Sequence, residues 1–332
     1  MVPPARHFRT LDALRGVAAV SVMLLHDDQF GASLLPGGYL AVDLFFMLSG
    51  FVIANAYSER MAEGLSARAF LYRRAIRLWP MLAIGALLGI VLHGGHAGSL
   101  MLLPNFKSPT NLFPTNPALW SLLFEVLAYA AFAFGGHKLR VPLLATIVLI
   151  SAGALVVLVG RGGLLVEFGA QWQALGGGFA RLGFGFAGGM LLWHLHARAH
   201  IPARRVTNLA WAVPALFVAL VMAAPGPPAG LIPLATLALF PVLVWFALRW
   251  EIPQQWLAKR LGDLSYPLYC IHMPLLASFV HDLSSAVAMA VCLPFVALAL
   301  DRFVDRPARA ALSRWLARDA GLADQTRIGI NT

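Results

Sequence analysis

The stretch LRGVAAVSVMLLHDD, from Leu14 to Asp28, decides the fold class of this chain. It is almost entirely apolar, but it carries Arg15 near one end and His26 near the other. Apolar runs recur along the whole chain, and a run of roughly 17 to 25 apolar residues can cross a bilayer as a helix. The recurrence predicts a protein built of membrane-spanning helices.

The composition of the 332 residues agrees with this prediction. Hydrophobic residues make up 59% of the chain, charged residues make up 12%, and the mean hydropathy is +0.74. Soluble domains carry about 25% charged residues, so the sequence predicts an all-α integral membrane protein. We predict about ten transmembrane helices, at residues 8–28, 38–57, 78–95, 118–136, 141–160, 176–196, 207–224, 229–249, 263–282 and 284–304.

Lysine and arginine residues are distributed unevenly among the predicted loops. Of these 25 residues, 21 lie at the N-terminus, in alternate loops or in the C-terminal tail. Such residues collect on the cytosolic side of a membrane, so we expect a multi-pass protein of the inner (plasma) membrane with both termini in the cytosol. The net charge of +10 then reflects topology and contact with anionic membrane lipid. We expect no nucleic-acid partner.

The chain is predicted to have two regions. Residues 1–304 would form the membrane domain, and residues 305–332 would form a cytosolic amphipathic tail that lies on the inner membrane surface. Cys270 and Cys292 fall in different predicted helices. Neither a disulfide framework nor a metal site is therefore expected.

Arg15 and His26 share one face of the first predicted helix. Eleven residues turn a helix through three turns plus about 20° and raise it by about 16 Å, and Asp12 joins the same face three residues before Arg15. Ionisable groups inside a bilayer are costly unless they face partners or a water-filled cavity, so they indicate function. The alternative is that His26 marks the membrane interface while Asp12 and Arg15 form a structural pair.

Three more charged residues are predicted in the outer half of the membrane domain: Asp43, Glu125 and Arg181. A carboxylate beside a histidine can fix its tautomer and stabilise its protonated form. We therefore predict His26 as a catalytic base that Glu125 or Asp43 orients. The alternative is a structural ion pair between Arg181 and one of the two carboxylates.

A basic cluster, Arg73, Arg74 and Arg77, precedes Trp79 and Pro80 at the predicted inner boundary. Arg74 and Arg77 lie three residues apart on a helix and can present two planar guanidinium groups to one phosphate. Such a cluster is also an ordinary membrane anchor. Together with a histidine on the far side, it suggests a donor with phosphates at one end and a reactive group at the other, as in a coenzyme A thioester.

Six motifs in order resemble the acyltransferase 3 family of multispanning membrane acyltransferases. They are FRTLDALRGVAAVSVMLLH, GGYLAVDLFFMLSGF, RRAIRLWP, WSLLFEVLAY, LGDLSYPLYCIHMPLL and the late DRP. The resemblance covers nearly the whole chain, without the appended hydrolase-like domain of longer members. This chain departs from the pattern at Val126 and Leu127, where many members have a second acidic residue and a glutamine.

The resemblance implies transfer of an acyl group, commonly acetyl, from cytosolic acyl-CoA to a hydroxyl of a cell-envelope or exported carbohydrate. We predict that Arg74 and Arg77, with Arg73 beside them, bind the donor phosphates and that Arg15 positions the donor. His26 would take the hydroxyl proton, or would itself carry the acyl group for a time. No metal is implied.

Further residues are expected to support the site or the substrate: Asp12, Trp120, Ser121, Arg181, Ser265, Tyr266 and His272. Ser265 and His272 lie on one face of the ninth predicted helix, although a packing role is equally open for His272. A different class of function, a transporter or flippase, would also use buried ionisable residues. The acceptor, the acyl group and the oligomeric state are left open by the sequence.

Overall fold

The computed structural model describes residues 8–198, 205–226 and 230–319, and most of these residues are helical. The helices are α1 (Arg9–Leu25), α2 (Gly31–Leu34), α3 (Ala41–Ala62), α4 (Ala67–His93), α5 (Leu119–Ala133), α6 (Val141–Gly160), α7 (Leu175–Leu182), α8 (Gly188–Arg198), α9 (Ala212–Ala223), α10 (Ile232–Arg249), α11 (Gln255–Phe279), α12 (Leu283–Leu300) and α13 (Arg306–Asp319). Two short strands, β1 (Arg205–Val206) and β2 (Trp250–Glu251), pair in parallel. The all-α membrane class is confirmed.

Each of the ten predicted membrane segments contains a helix. Six helices in the described residues are long and apolar enough to cross a membrane: Gly38–Ala62, Ala67–His93, Val141–Gly160, Trp172–Arg198, Ile232–Arg249 and Leu283–Leu316. Two shorter apolar helices are Leu119–Ala133 and Asn208–Ala223. Ten crossings, and the cytosolic position of the termini, stay predictions.

Helix α11 packs against α1, α4 and α12. The glycines of the neighbouring helices permit this close packing. A methyl group added at Gly16 of α1 would overlap the backbone of Leu261, and one added at Gly85 of α4 would overlap the carbonyl oxygen of Cys270. Small residues allow close helix contact in the same way in other membrane proteins.

The link from α11 into α12 ends in a capping box. Asp282 accepts a hydrogen bond of 2.8 Å from the backbone N–H of Ser285. This bond to the charged form lowers the pKa of the Asp282 carboxyl to about 2. The cap satisfies a free N–H of the first turn and so fixes where α12 begins.

The predicted boundary between residues 304 and 305 falls inside one continuous helical run. A π-helical segment, Asp301–Asp305, joins α12 directly to α13. Asp305 is fully buried and its Oδ2 lies 2.9 Å from Arg309 and 3.6 Å from Arg77 of α4. Charge pairing therefore holds the start of α13 against the helices of the core, and residues 320–332 of the predicted tail lie outside the described residues.

Candidate active site

A cavity of about 190 Å³ lies where the ends of α1 and α5 meet α7 and α11. Its polar lining consists of His26, Tyr39, Arg181, Tyr269 and His272. The rest of the wall is apolar or aromatic: Val22, Val42, Pro117, Ala118, Trp120, Val166, Ala170 and Met273. A small concave site with an apolar wall and a few convergent polar groups is typical of a ligand site.

Two histidines face each other in this cavity. The ring centres of His26 and His272 are 5.2 Å apart. The Nδ1 atom of His26 lies 2.8 Å from the carbonyl oxygen of Val22, and Nδ1 of His272 lies 2.8 Å from the carbonyl oxygen of Tyr269. Because a carbonyl oxygen only accepts hydrogen bonds, Nδ1 is the donor in both neutral rings. The lone pair of each ring is therefore on Nε2.

The structure corrects the expected pairing of His26 with a carboxylate, because both carboxylates have other partners. Asp43 accepts two hydrogen bonds from Arg181, of 2.9 and 2.7 Å, and both side chains are only about 1% exposed. Glu125 accepts hydrogen bonds from Ser49 and Tyr129. Charge-assisted bonds to a guanidinium are among the strongest in proteins. Asp43 thus forms the structural ion pair that the sequence left as an alternative.

Arg181 also organises the cavity wall. Its guanidinium donates to the carbonyl oxygens of Tyr39 and Leu165, at 3.1 Å each, and lies 5.1 Å from the ring centre of Trp120. These contacts join the segment before α3 to α5 and α7. The buried arginine therefore holds several walls of the cavity in one arrangement.

Ser121 and Tyr269 contact each other beside the histidines. Their hydroxyl oxygens are 2.6 Å apart, and the ring of Tyr269 lies 5.6 Å from that of His272. Both side chains are at most 6% exposed. Ser121, an expected support residue of α5, therefore contacts a tyrosine of α11 that lines the cavity.

Arg15 lies on the face of α1 that contacts α11. Its Nε donates to Ser265 at 3.0 Å, its Nη2 donates to the carbonyl oxygen of Gly262 at 3.1 Å, and Asp12 lies 3.8 Å from it. Since His26 contacts His272 farther along α11, α1 and α11 run parallel. Both ionisable side chains thus face the same neighbouring helix, as their spacing predicts.

Two arginines of the basic cluster, Arg74 and Arg77, contact different neighbouring helices. Arg74 donates to the hydroxyl of Tyr129 at 2.9 Å and stacks on its ring, whereas Arg77 lies near Asp305 and 5.4 Å from the ring centre of Tyr266. Tyr266 itself donates to the carbonyl oxygen of Leu78 at 2.5 Å. In the described part of the chain, Nε of Arg74 and Nη1 of Arg77 are buried without a hydrogen bond. Arg73 is partly buried beside them.

Three further polar residues hold this region together and were not among the predicted site residues. Ser49 and Tyr129 bind Glu125, and Tyr129 could have been found because it lies four residues after Glu125 on one helix. Asn116 is fully buried and donates to the carbonyl oxygens of Gly85 and Cys270, at 3.0 and 2.9 Å. A single asparagine before proline in a loop gives no signal of such a role, because the partners are backbone atoms distant in sequence.

Comparison with known proteins gives a family match and two similar sequences. The family described as Acyltransferase domain matches residues 8–300. "Protein 2 in picA locus" of Rhizobium radiobacter is 36% identical over 186 residues, which cover 47% of this chain and 95% of that protein. "Putative membrane-bound transacylase BcsY" of Komagataeibacter xylinus is 35% identical over 79 residues, 24% of this chain and 19% of that protein.

No solved structure matches the chain. The family match nevertheless extends over nearly all of the described helices, including α1, α5 and α11, which supply the cavity histidines and their neighbours. The protein is a multi-pass membrane acyltransferase, and it belongs to the acyltransferase 3 family.

Proposed function

We propose that this chain transfers an acyl group, acetyl in the simplest case, from acyl-CoA to a hydroxyl group of a cell-envelope or exported carbohydrate. The carrying observation is the position of His26, whose Nδ1 is fixed by the Val22 carbonyl oxygen while the ring lines the cavity. That geometry leaves Nε2 as a base for a hydroxyl proton. The inner (plasma) membrane and cytosolic termini belong to the same proposal, since the donor is cytosolic.

The proton balance of this reaction needs one group that accepts and then returns a proton. The acceptor hydroxyl donates its hydrogen to Nε2 of His26, and its oxygen forms a bond with the thioester carbonyl carbon. The carbon–sulfur bond breaks, and the coenzyme A thiolate takes the proton back from His26 to leave as a free thiol. His26 returns to its neutral form. In this scheme neither Asp43 nor Glu125 transfers a proton. Asp43 binds Arg181, and Glu125 accepts hydrogen bonds from Ser49 and Tyr129.

The arginines support binding of the donor at the other end of α1. Among the described residues, Arg74 and Arg77 each have a buried guanidinium nitrogen without a hydrogen bond, and that of Arg77 lies 3.6 Å from Asp305. Phosphate oxygens are suitable acceptors for such donors. Arg15 lies level with this cluster along α11, because it donates to Ser265 while Arg77 lies beside the ring of Tyr266, and it is about 16 Å from His26 by helix rise. In this proposal Arg15 guides the donor toward the cavity, and the cavity admits only its acyl end.

Release of free thiol from acetyl-CoA by the purified protein tests the reaction. We expect release to depend on a glycan fraction of the cell envelope and to fall by about 10²–10⁴-fold in His26→Ala, the range for loss of a general base. His281→Ala is the matched control, because His281 is exposed at the end of α11, away from the cavity lining. Wild-type turnover by His26→Ala would remove His26 from the mechanism.

Mass spectrometry of glycans identifies the acceptor and the acyl group together. Envelope and secreted glycans are compared between cells with and without the chain. We expect one glycan to gain the mass of an acyl group only when the chain is present. Identical glycan masses in both cell types would contradict a carbohydrate acceptor.

A further inference from the structure

His272 has a buried hydrogen-bond acceptor that the proposed reaction does not use. The side chain is 1% exposed, its Nδ1 is occupied by backbone carbonyl oxygens, and its Nε2 has no hydrogen-bond partner among residues 8–198, 205–226 and 230–319. A buried polar atom without a hydrogen-bond partner lowers the stability of the folded protein, and such atoms are rare in native structures. Because His272 lines the cavity, a molecule bound there can supply the missing donor.

One hydroxyl group cannot serve both histidines. His26 and His272 each present Nε2 as an acceptor, so neither ring donates to the other in the neutral state. A hydroxyl has a single hydrogen to donate. Two donors are therefore needed, and the 5.2 Å between the ring centres requires that they lie close together.

We propose that Nε2 of His272 binds a second hydroxyl of the acceptor, on the carbon next to the one that is acylated. The inference rests on the proposed function and narrows its substrate class to sugar rings with two neighbouring free hydroxyls. His26 takes the proton of the first hydroxyl. The second hydroxyl keeps its proton and donates it in a hydrogen bond, so His272 fixes which hydroxyl meets the thioester.

The rest of the cavity fits a sugar ring. The rings of Tyr39, Trp120 and Tyr269 line it, and aromatic faces pack well against the apolar C–H surface of a sugar. The cavity volume of about 190 Å³ is below the roughly 300–1,000 Å³ of sites that enclose a whole ligand. One ring and the acyl end of the donor are thus the parts that enter, while the glycan chain and the coenzyme remain outside.

The test compares His272→Leu, which removes the acceptor, with His272→Gln, whose amide oxygen can still accept a hydrogen bond. Full-length variants are produced in cells that lack the native chain, and the acylated position in their glycans is read by NMR. We expect the acyl group on a ring carbon whose neighbour carries a free hydroxyl. We expect the amount of acylated glycan per amount of folded protein to fall about tenfold in His272→Leu, the effect of one lost hydrogen bond. In His272→Gln it should fall less than about threefold.

A second arm separates hydrogen bonding from packing. An acceptor fragment of the acylated glycan is compared with the same fragment lacking the neighbouring hydroxyl, using purified protein and acetyl-CoA. The deoxy fragment should lower wild-type kcat/KM about tenfold and should not lower that of His272→Leu further. Equal losses in both proteins would overturn the proposal.

Two other outcomes are also decisive. Acylation of a primary hydroxyl whose neighbouring carbon bears only the ring oxygen would overturn the role of His272, and so would wild-type yield from folded His272→Leu. Wild-type cells without any acylated glycan would instead contradict the proposed function itself, which is a separate result.

Discussion

Arg181 and Asp43 are nearly inaccessible to solvent, and each neutralises the charge of the other. The pair also fixes the carbonyl oxygens of Tyr39 and Leu165 around the cavity. A buried ion pair of this kind adds little to the net free energy of folding, but it can favour one arrangement of the side chains around it. Asp43 therefore pairs with the arginine whose hydrogen bonds join the wall beside His26.

Asp43→Ala should destabilise the protein by about 3–5 kcal/mol, because it leaves the Arg181 guanidinium buried and uncompensated. Thermal unfolding in detergent measures the change. The double variant Asp43→Leu/Arg181→Met removes both charges and should recover much of the loss. Equal stability of Asp43→Ala and wild type would show that the ion pair is not needed.

Residue types predicted part of this site. The spacing of Arg15 and His26 correctly placed both on one face of α1, and an Arg181–Asp43 pair was among the alternatives. The group that orients His26 was not predictable in this way, because it is the backbone carbonyl of Val22. Every residue has a carbonyl group, so no residue type signals that role.

At the scale of the elements, the contact between α1 and α11 builds the site. The two helices run parallel, with Arg15 beside Ser265 near one end and His26 beside His272 near the other. Gly16 permits the approach, because any side chain there would meet the backbone of Leu261. The distance between these two helices therefore sets the distance between the histidines.

Gly16→Ala should lower both the unfolding temperature and the rate of acyl transfer, since the added methyl group pushes α1 away from α11. We expect the free energy of unfolding to fall by about 1–3 kcal/mol, the usual range for overpacking. Gly153→Ala is the matched control, because Gly153 lies within α6 and has open space at its Cβ position. A neutral Gly16→Ala would mean that the helix contact adapts without loss.

The connection of α13 to the core gives a second prediction at this scale. Asp305→Asn removes the charge between Arg77 and Arg309 and should destabilise the protein by about 1–3 kcal/mol, a discounted value because both arginines are partly exposed. Unfolding in detergent is compared with that of Glu63→Gln, a change at an exposed carboxylate. If both variants unfold alike, the pairing contributes little.

Hydrophobic runs were sufficient to predict where helices occur, because each predicted segment contains one. They could not predict which helices touch. The parallel contact of α1 with α11 joins segments about 250 residues apart, and it depends on shape at positions such as Gly16 and Gly85. The boundary between residues 304 and 305 stays a prediction, and it falls within a continuous helical run in which Asp305 pairs with Arg77 of α4.

At the scale of the whole molecule, one helix connects two chemically different ends. Arg15, with the basic cluster near it, marks one end of α1, and His26 with the cavity marks the other. The ends are about 16 Å apart by helix rise. We propose that the donor enters at the arginine end from the cytosol and that the acceptor is acylated at the histidine end.

Sided membrane vesicles test this claim directly, with radiolabelled acetyl-CoA that cannot cross the membrane and the host glycan as acceptor. Inside-out vesicles, whose cytosolic face is outward, should label glycan in their interior when acetyl-CoA is added outside, and right-side-out vesicles should not. His26→Ala vesicles provide the background. Equal labelling by external acetyl-CoA in both orientations, or labelling only of glycan on the donor's own side, would contradict the account.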